Sequence, residues 1–294
     1  MVGVARIGID LGGTKTEGIV LDASGGTLVR ERIPTERERG YEAIVSRTAE
    51  LVARLRPHAP AAAHVGIGTP GSTSVRDGTL KNSNTTCLNG RPLHRDLERA
   101  IGLPVRMEND ANCFAVAEAV HGAGRGHRLI FGVILGTGVG GGIVIDGAPW
   151  PGPQHIAGEW GHHRLDPAGP PCYCGQRGCA EALLSGPALA AAYAAAGGGP
   201  ADAATIAARA ASGEPIATQV LARYLDWFGR ALANVVNILD PDVIVLGGGL
   251  SNLDALYDRG RDAVARYVFN DELRTPIVRN ALGDSAGVIG AALL

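Results

Sequence analysis

Residues 6–22, RIGIDLGGTKTEGIVLD, decide the fold class. They predict an apolar strand, a glycine-rich turn and a second apolar strand, because Ile7 and Ile9 alternate with small or polar neighbours and an apolar run resumes after the turn. Glycines let the backbone approach an anion closely, and free backbone N–H groups can cradle phosphate oxygens. Asp10, just before the turn, could hold a hydrated magnesium ion beside a polyphosphate. The predicted phosphate-binding turn consists of Gly12, Gly13, Thr14 and Lys15.

The same pattern returns in residues 131–146, FGVILGTGVGGGIVID. Moving this stretch back by 124 positions brings seven identical residues into register, from Gly132 on Gly8 to Asp146 on Asp22. We interpret this as a duplicated strand–turn–strand unit, which predicts two similar domains that could face each other across a cleft. Chance similarity between two glycine-rich hairpins is the alternative.

Two common nucleotide-binding motifs are excluded. Residues 136–141, GTGVGG, fit the pattern G-x-G-x-x-G, but the GIVID that follows predicts a strand, whereas a dinucleotide-binding loop must open a helix. A Walker A loop needs a Gly-Lys dipeptide, which the sequence does not contain.

Composition narrows the class of protein further. A length of 294 residues suggests two domains, and the net charge of −2 gives no electrostatic basis for binding nucleic acid or an anionic membrane. No apolar run reaches the roughly 18 residues of a spanning helix, and no signal peptide precedes the first predicted strand. We therefore expect a cytoplasmic protein.

Residues 108–112, ENDAN, follow a predicted strand at 104–107 and open a predicted helix at 111–120. Asn109 or Asp110 could simply cap that helix. Alternatively, the helix dipole would keep a carboxylate there ionised, so that it could act as a general base towards a hydroxyl group. The spacing alone favours neither interpretation.

Three further stretches have the composition of binding loops. Residues 69–72, TPGS, predict a tight turn, and residues 81–90, KNSNTTCLNG, are dense in side chains that could pair with sugar hydroxyls, although a solvated loop is the commoner explanation. Three glycines at 247–249 follow the predicted strand 243–246 and lead into a helix predicted over 253–268. This turn is a third place where a nucleotide could lie against the backbone, unless it is only a tight strand-to-helix turn.

His162 and three cysteines, Cys172, Cys174 and Cys179, fall within 18 residues of one another. That set suits a tetrahedral Cys₃His zinc site, and in a reducing compartment metal binding is favoured over disulfides. Four protein ligands would fill the coordination shell, so the zinc would be structural. Three unligated thiols in one loop are the alternative.

Taken together, the motifs resemble those of the ROK family (repressor, open reading frame, kinase) of sugar kinases. GIDLGGTKTE, ENDAN, GTGVGGG, GEWGH, CYCGQRGCAE and DPDVIVLGGG occur in the family's order over essentially the whole chain. The resemblance implies a two-domain, actin-like (ribonuclease-H-like) α/β ATPase fold with a zinc-binding loop. The loop at 81–90, GEWGH and CYCG look most like the bacterial fructokinase (manno(fructo)kinase) branch.

The resemblance also implies roles for individual residues. Asp110 would be the general base that activates the 6-hydroxyl of a hexose, and Asp10 would lie near magnesium. The sugar ligands would be Gly71, Ser72, Asn84, Asn109, Asp110, Glu159, His162 and Glu181. The ATP ligands would be Asp10, Gly12, Gly13, Thr14, Lys15, Gly136, Thr137, Gly138, Gly248 and Gly249. The zinc ligands would be His162, Cys172, Cys174 and Cys179; His163 has no matching role.

From this resemblance we expect an ATP- and Mg²⁺-dependent hexose kinase with fructose as the preferred acceptor. N-acetylglucosamine kinase or glucokinase activity of the same family, or a sugar sensor without turnover, are the alternatives. The expected domains are residues 1–118, completed by a terminal helix at 283–294, and residues 119–282. The family implies a homodimer, and the phosphate strand begins too early to leave room for an N-terminal helix-turn-helix.

Overall fold

A computed structural model describes residues 4–294, which divide into two compact units. The first unit contains residues 4–125, Gly147–Ala157 and Asp284–Leu294, and the second contains Gly126–Asp146 and Gly158–Gly283. The domain boundaries expected from the sequence did not place Gly147–Ala157 with the first unit. Within residues 4–294, no helix is both long and apolar enough to cross a bilayer.

The strands in the described part of the chain are short. They are β1 (Arg6–Leu11), β2 (Lys15–Leu21), β3 (Thr27–Pro34), β4 (Val65–Thr69), β5 (Ser72–Thr73), β6 (Leu80–Lys81), β7 (Val105–Asn109), β8 (Leu129–Leu135), β9 (Val139–Ile145), β10 (Ala148–Pro149), β11 (Val243–Gly247) and β12 (Ile277–Arg279).

The α-helices of residues 4–294 vary from five to 25 residues in length. They are α1 (Tyr41–Leu55), α2 (Leu93–Ile101), α3 (Asp110–Val120), α4 (Ala180–Leu184), α5 (Gly186–Ala195), α6 (Ala203–Ala211), α7 (Pro215–Leu239), α8 (Arg259–Ala265) and α9 (Ala286–Leu293).

The sheet of the first unit has the strand order β3-β2-β1-β4-β7. β2 is antiparallel to both neighbours, whereas β1, β4 and β7 run parallel. The terminal helix α9 packs directly on this sheet, because Gly8 has no side chain: a Cβ atom there would lie 2.5 Å from the backbone nitrogen of Ala292. The end of the chain thus completes the core of the first unit.

Four strands of the second unit repeat this arrangement. Their order is β9-β8-β11-β12, with β8 and β9 antiparallel and β8, β11 and β12 parallel, which matches β2-β1-β4-β7. The two hairpins differ in one respect: Leu11 pairs with Thr16, whereas Leu135 pairs with Val139. The second turn is therefore one residue shorter than the first. The residues of β9 that are identical to residues of β2 consequently pair one position away from where their β2 counterparts pair. The α/β architecture expected from the sequence is present in both units.

The prediction of one helix over residues 253–268 is wrong. The chain instead makes two short 3₁₀ turns, Gly249–Asn252 and Asp254–Leu256, before α8 begins at Arg259. The carboxylate of Asp258 accepts a hydrogen bond from the Arg259 N–H, the first free N–H of α8. Asp258 therefore caps this helix and sets its start. The triglycine turn therefore leads into 3₁₀ turns and not directly into a long helix.

Candidate functional site

The turn between β1 and β2 is fixed by hydrogen bonds. The Gly12 N–H donates to the Lys15 carbonyl at 3.1 Å, which closes the turn. Thr35 braces it from outside, since its hydroxyl donates to the Gly12 carbonyl at 2.7 Å and its N–H to the Thr14 carbonyl at 2.9 Å. Thr14 and Lys15 are exposed. The predicted phosphate-binding residues thus form a rigid, accessible turn.

Asp10 lies in β1 directly opposite Glu17 of β2 and is partly buried. Burial, followed by the negative charge of Glu17, raises the pKa of Asp10 to about 6, although Lys15 and Arg32 act in the opposite direction. Glu17 itself is bound by Arg30 and Arg32. A cation beside Asp10 would favour the ionised carboxylate, so the position fits the magnesium site predicted from the sequence.

Asp110 is the first residue of α3, and Asn109 is its N-cap. The Ala111 N–H is accepted by the Oδ1 atoms of both residues at 2.9 Å. The Nδ2 atom of Asn109 donates to the Gly71 carbonyl at 3.0 Å, which joins the start of this helix to the turn before β5. Two of the predicted sugar-site segments, residues 71–72 and 109–110, therefore meet in the first unit, with Asp110 in a position that can accept a proton.

The loop at residues 81–90 is more ordered than its composition indicates. Asn89 accepts from the Ser83 N–H and donates to the Ser83 carbonyl, both at 2.9 Å. Gly71, at φ 89°, lies against this segment, because a Cβ atom on it would be 2.9 Å from the Ser83 nitrogen. Ser83 and Thr85 are buried while Asn84 between them is exposed. The contact brings Gly71 and the predicted ligand Asn84 onto neighbouring segments; sequence reasoning missed the bracing role of Asn89.

The predicted sugar ligands of the second unit lie around one short turn. Glu159 precedes the 3₁₀ turn Trp160–His162, whose Trp160 ring is buried and donates from Nε1 to the Gly140 carbonyl at 2.8 Å. Glu181, in α4, accepts from the Val139 N–H at 2.9 Å. This bond ties α4 to the turn between β8 and β9, so the predicted sugar-binding and phosphate-binding parts of this unit share a framework.

The predicted zinc ligands converge. One ligand atom from each of His162, Cys172, Cys174 and Cys179 lies within 4.8 Å of all the others. Ligand bonds of about 2.0–2.3 Å in a tetrahedron place neighbouring donors roughly 3.5–3.8 Å apart. The sulfur atoms of Cys174 and Cys179 are 3.6 Å apart, as are the Nδ1 atom of His162 and the sulfur of Cys172. The donor set therefore fits one zinc ion.

The other nitrogen of His162 has a partner that the sequence did not reveal. Its Nε2 atom lies 3.0 Å from the hydroxyl of Tyr173, a residue that is 66% exposed. Because Nδ1 faces the sulfur of Cys172, Nε2 is the nitrogen that could pair with the sugar hydroxyl predicted from the sequence. Tyr173 therefore stands where such a hydroxyl would compete for His162. His163 points elsewhere, towards the Trp160 carbonyl and Asn234.

A cavity of about 600 Å³ adjoins the turn between β8 and β9. Gly136, Thr137 and Gly249 of the predicted ATP ligands line it, whereas Gly138 and Gly248 do not. Gly248, at φ 78°, packs closely against β8, because a side chain there would collide with the backbone of Leu135. Sequence reasoning missed the rest of the lining, although Asp202 could be recognised as a helix cap. These additional residues are Gly186, Pro187, Ala190, Ala201, Asp202, Ala203, Ala204 and Leu250.

Comparisons with known proteins agree with this fold. The sequence profile of the ROK family matches residues 6–294. The chain is 39% identical to an N-acetyl-D-glucosamine kinase of Citrobacter koseri, with 98% of each protein covered. A ROK hexokinase from Thermus thermophilus is 36% identical with a TM-score of 0.87, covering 98% of this chain and 97% of that one. A ROK family glucokinase from Streptomyces griseus, in complex with glucose and AMPPNP, is 31% identical with a TM-score of 0.80 and 98% coverage of both chains.

The family match spans residues 6–294, the range in which both glycine turns and the Cys₃His cluster lie. None of the three relatives is a fructokinase, and the placement in the fructokinase branch is not supported. The chain belongs to the ROK family.

Proposed function

We propose that this ROK family sugar kinase transfers the γ-phosphoryl group of MgATP to the 6-hydroxyl of N-acetylglucosamine. The observation that carries the choice of sugar is the 39% identity, over 98% of both chains, to an N-acetyl-D-glucosamine kinase. N-acetylglucosamine thereby replaces fructose, the acceptor expected from the sequence motifs. Glucose is the second candidate, because the relatives of known structure include a hexokinase and a glucokinase.

In the proposed reaction Asp110 is the general base. Its carboxylate takes the proton of the 6-hydroxyl while the hydroxyl oxygen forms a bond to the γ-phosphorus, and the bond from that phosphorus to the bridging oxygen of ADP breaks. The products are the sugar 6-phosphate and ADP, with the proton on Asp110. The hydrogen bond from the Ala111 N–H to Asp110 fixes the carboxylate at the start of α3.

The phosphates of ATP would be held by backbone N–H groups of the two glycine turns, at Gly12, Gly13 and Thr14 and at Gly136, Thr137 and Gly138. Lys15 adds a positive charge beside the first turn. Magnesium, with Asp10 as its nearest protein carboxylate, would supply further charge neutralisation on the phosphates. Gly248 and Gly249 would lie near adenosine, and the cavity beside Gly249 supports this assignment.

Hydroxyl groups of the sugar would pair with Glu159, His162 and Glu181 in the second unit. In the first unit the partners would be Gly71, Ser72, Asn84 and Asn109. A zinc ion on the Cys₃His cluster would act on sugar binding only, because it would fix the orientation of the His162 ring. The hydrogen bond from Asn109 to Gly71 supports joint placement of those two residues.

The test is to measure kcat/KM for N-acetylglucosamine, glucose, mannose and fructose at saturating MgATP, with the release of ADP as the readout. A site that pairs with a substituent strongly rejects an analogue lacking it, so N-acetylglucosamine should exceed the others. A clear preference for glucose would change the assignment of the sugar and leave the assignment as a kinase intact. Sugar binding without ADP release from any sugar would instead indicate a sensor.

A further inference from the structure

Two side chains outside the predicted site lie against the first phosphate turn. A Cβ atom placed on Gly13 would be 3.2 Å from the hydroxyl oxygen of Thr85 and 3.7 Å from the Nη1 atom of Arg37. The hydroxyl and the guanidinium group therefore both lie close to Gly13, the residue before the exposed Thr14 and Lys15. No motif indicated this, because the three residues are far apart in the sequence.

Thr85 brings a hydroxyl group that is buried and unpaired. The residue is 2% exposed, and its Oγ1 atom has no hydrogen-bond partner among residues 4–294. Its backbone is held in place, since the Thr85 N–H donates to the Ser83 hydroxyl at 3.1 Å. A buried hydroxyl without a partner costs free energy, so its position beside a phosphate-binding turn points to a ligand oxygen.

Arg37 brings a positive charge that the described residues do not neutralise. The neighbouring Arg39 and Arg47 both pair with Glu36, at 2.6 Å and 3.3 Å, whereas no carboxylate of residues 4–294 lies within ion-pair distance of Arg37. The segment that carries Arg37 is tied to the turn by the two hydrogen bonds of Thr35. The guanidinium group is therefore kept near Gly13, exposed and available to an anion.

We propose that Arg37 and Thr85 bind oxygen atoms of the γ-phosphate of ATP. This inference rests on the proposed kinase function and adds two positioning groups to it. A guanidinium group and a hydroxyl donor can offset the charge on a phosphoryl group through charge-assisted hydrogen bonds. Asn84, a predicted sugar ligand, is the residue before Thr85, so the 81–90 loop would contact both the sugar and the phosphate that is transferred to it.

The test compares the binding of AMPPNP and of ADP, each with Mg²⁺, by calorimetry. Arg37→Ala and Thr85→Val should weaken AMPPNP binding by roughly 10-fold or more, as expected for the loss of a charge-assisted hydrogen bond. The Kd of ADP, which lacks the γ-phosphate, should change much less. Arg37→Lys should recover part of the loss because it keeps the charge. Arg39→Ala, in the same 3₁₀ turn as Arg37 (Arg37–Arg39), should change the Kd of neither nucleotide.

If Arg37 and Thr85 had only a structural role, their substitution would lower the Tm and weaken the binding of AMPPNP and ADP equally. Thr85→Val removes a hydroxyl that has no partner in the free protein, so its Tm should not fall even though AMPPNP binding does. Equal losses for AMPPNP and ADP, or no loss for either, would overturn the proposal. These binding constants do not depend on which sugar is phosphorylated, so a failure of the sugar assignment leaves this result interpretable.

Discussion

The Nδ1 atom of His162 lies 3.6 Å from the sulfur of Cys172. This contact commits one side of the imidazole to the sulfur cluster and leaves Nε2 on the other side, where it meets Tyr173. A metal ion at Nδ1 would fix the tautomer and the ring orientation of His162. The cluster can therefore influence sugar binding through His162 without taking part in phosphoryl transfer.

Cys174→Ser should abolish zinc binding. A serine oxygen is a much poorer zinc ligand than a thiolate. The zinc content of the purified protein, measured by metal analysis, should therefore fall from about one ion per chain to near zero. KM for the sugar should rise more than KM for ATP, because the predicted sugar ligands Glu159, His162 and Glu181 adjoin the cluster. Cys87→Ser is the matched control, since Cys87 is a free cysteine of the first unit. Full activity in metal-free protein would argue against a zinc role.

Asp110→Asn should lower kcat by roughly 10²–10⁴-fold, because the amide keeps the shape of the carboxylate but cannot accept the proton. The Tm and the Kd of the sugar should stay close to the native values. Asp146→Asn is a suitable control: Asp146 is exposed, and asparagine tolerates its left-handed backbone at φ 52°. Near-normal turnover in Asp110→Asn would remove this residue from the mechanism.

Local sequence pattern predicted much of the fold. The apolar spacing within Tyr41–Leu55 is typical of a helix, and α1 spans these residues with Ile44, Leu51 and Leu55 on its buried face. The repeated hairpins predicted two similar domains, and four strands of each sheet follow matching orders. The cysteine spacing likewise predicted a convergent cluster.

Contacts between distant residues could not be predicted in this way. Nothing local to Thr85 or Arg37 shows that both reach Gly13, and nothing in ENDAN shows that Asn109 binds the Gly71 carbonyl. The helix predicted over 253–268 is not continuous, because Asp258 caps a new helix at Arg259. Such features depend on tertiary packing, which overrides local propensity.

Asp10→Asn should stabilise the protein at pH 7–8 in the absence of Mg²⁺. The pKa of Asp10 is raised to about 6 in the folded state from an ordinary 3.8. The folded state therefore holds this proton more tightly, and the associated stability, present below about pH 4, is lost as pH rises through 6. The variant avoids that loss, which is at most roughly 3 kcal/mol. Urea unfolding from pH 4 to 8 should show that the stability of Asp10→Asn relative to the native protein increases with pH. The kinase activity of the variant should be lower than that of the native protein.

Asp22→Asn tests the sign of this effect. A hydrogen bond from Ser24 lowers the pKa of Asp22, so its stabilising contribution is present at neutral pH and is lost on acidification. This variant should therefore be less stable than the native protein at pH 7. If Asp10→Asn were also destabilising at pH 7, burial of a charged Asp10 would not be the dominant effect.

Gly71→Ala should be more destabilising than Gly78→Ala. Both glycines have left-handed backbones, at φ 89° and 72°, so alanine at either position costs about 1–2 kcal/mol in backbone strain. A Cβ atom on Gly78 would meet nothing within 4 Å, whereas one on Gly71 would lie 2.9 Å from the Ser83 nitrogen and against the Lys81 carbonyl. Because β6 and Asn89 hold that segment, it cannot move aside freely, and the collision should add roughly 1–3 kcal/mol.

The same pair of variants also separates stability from function. The Asn109 amide donates to the Gly71 carbonyl, so moving residue 71 displaces the amide beside Asp110. Gly71→Ala should therefore raise KM for the sugar at temperatures where the protein is fully folded, while Gly78→Ala should leave it unchanged. Urea unfolding gives the difference in stability, and sugar titrations at saturating MgATP give the difference in KM. Equal effects of the two variants on both quantities would show that backbone strain alone is responsible, and that contact between Gly71 and the 81–90 loop does not position the sugar site.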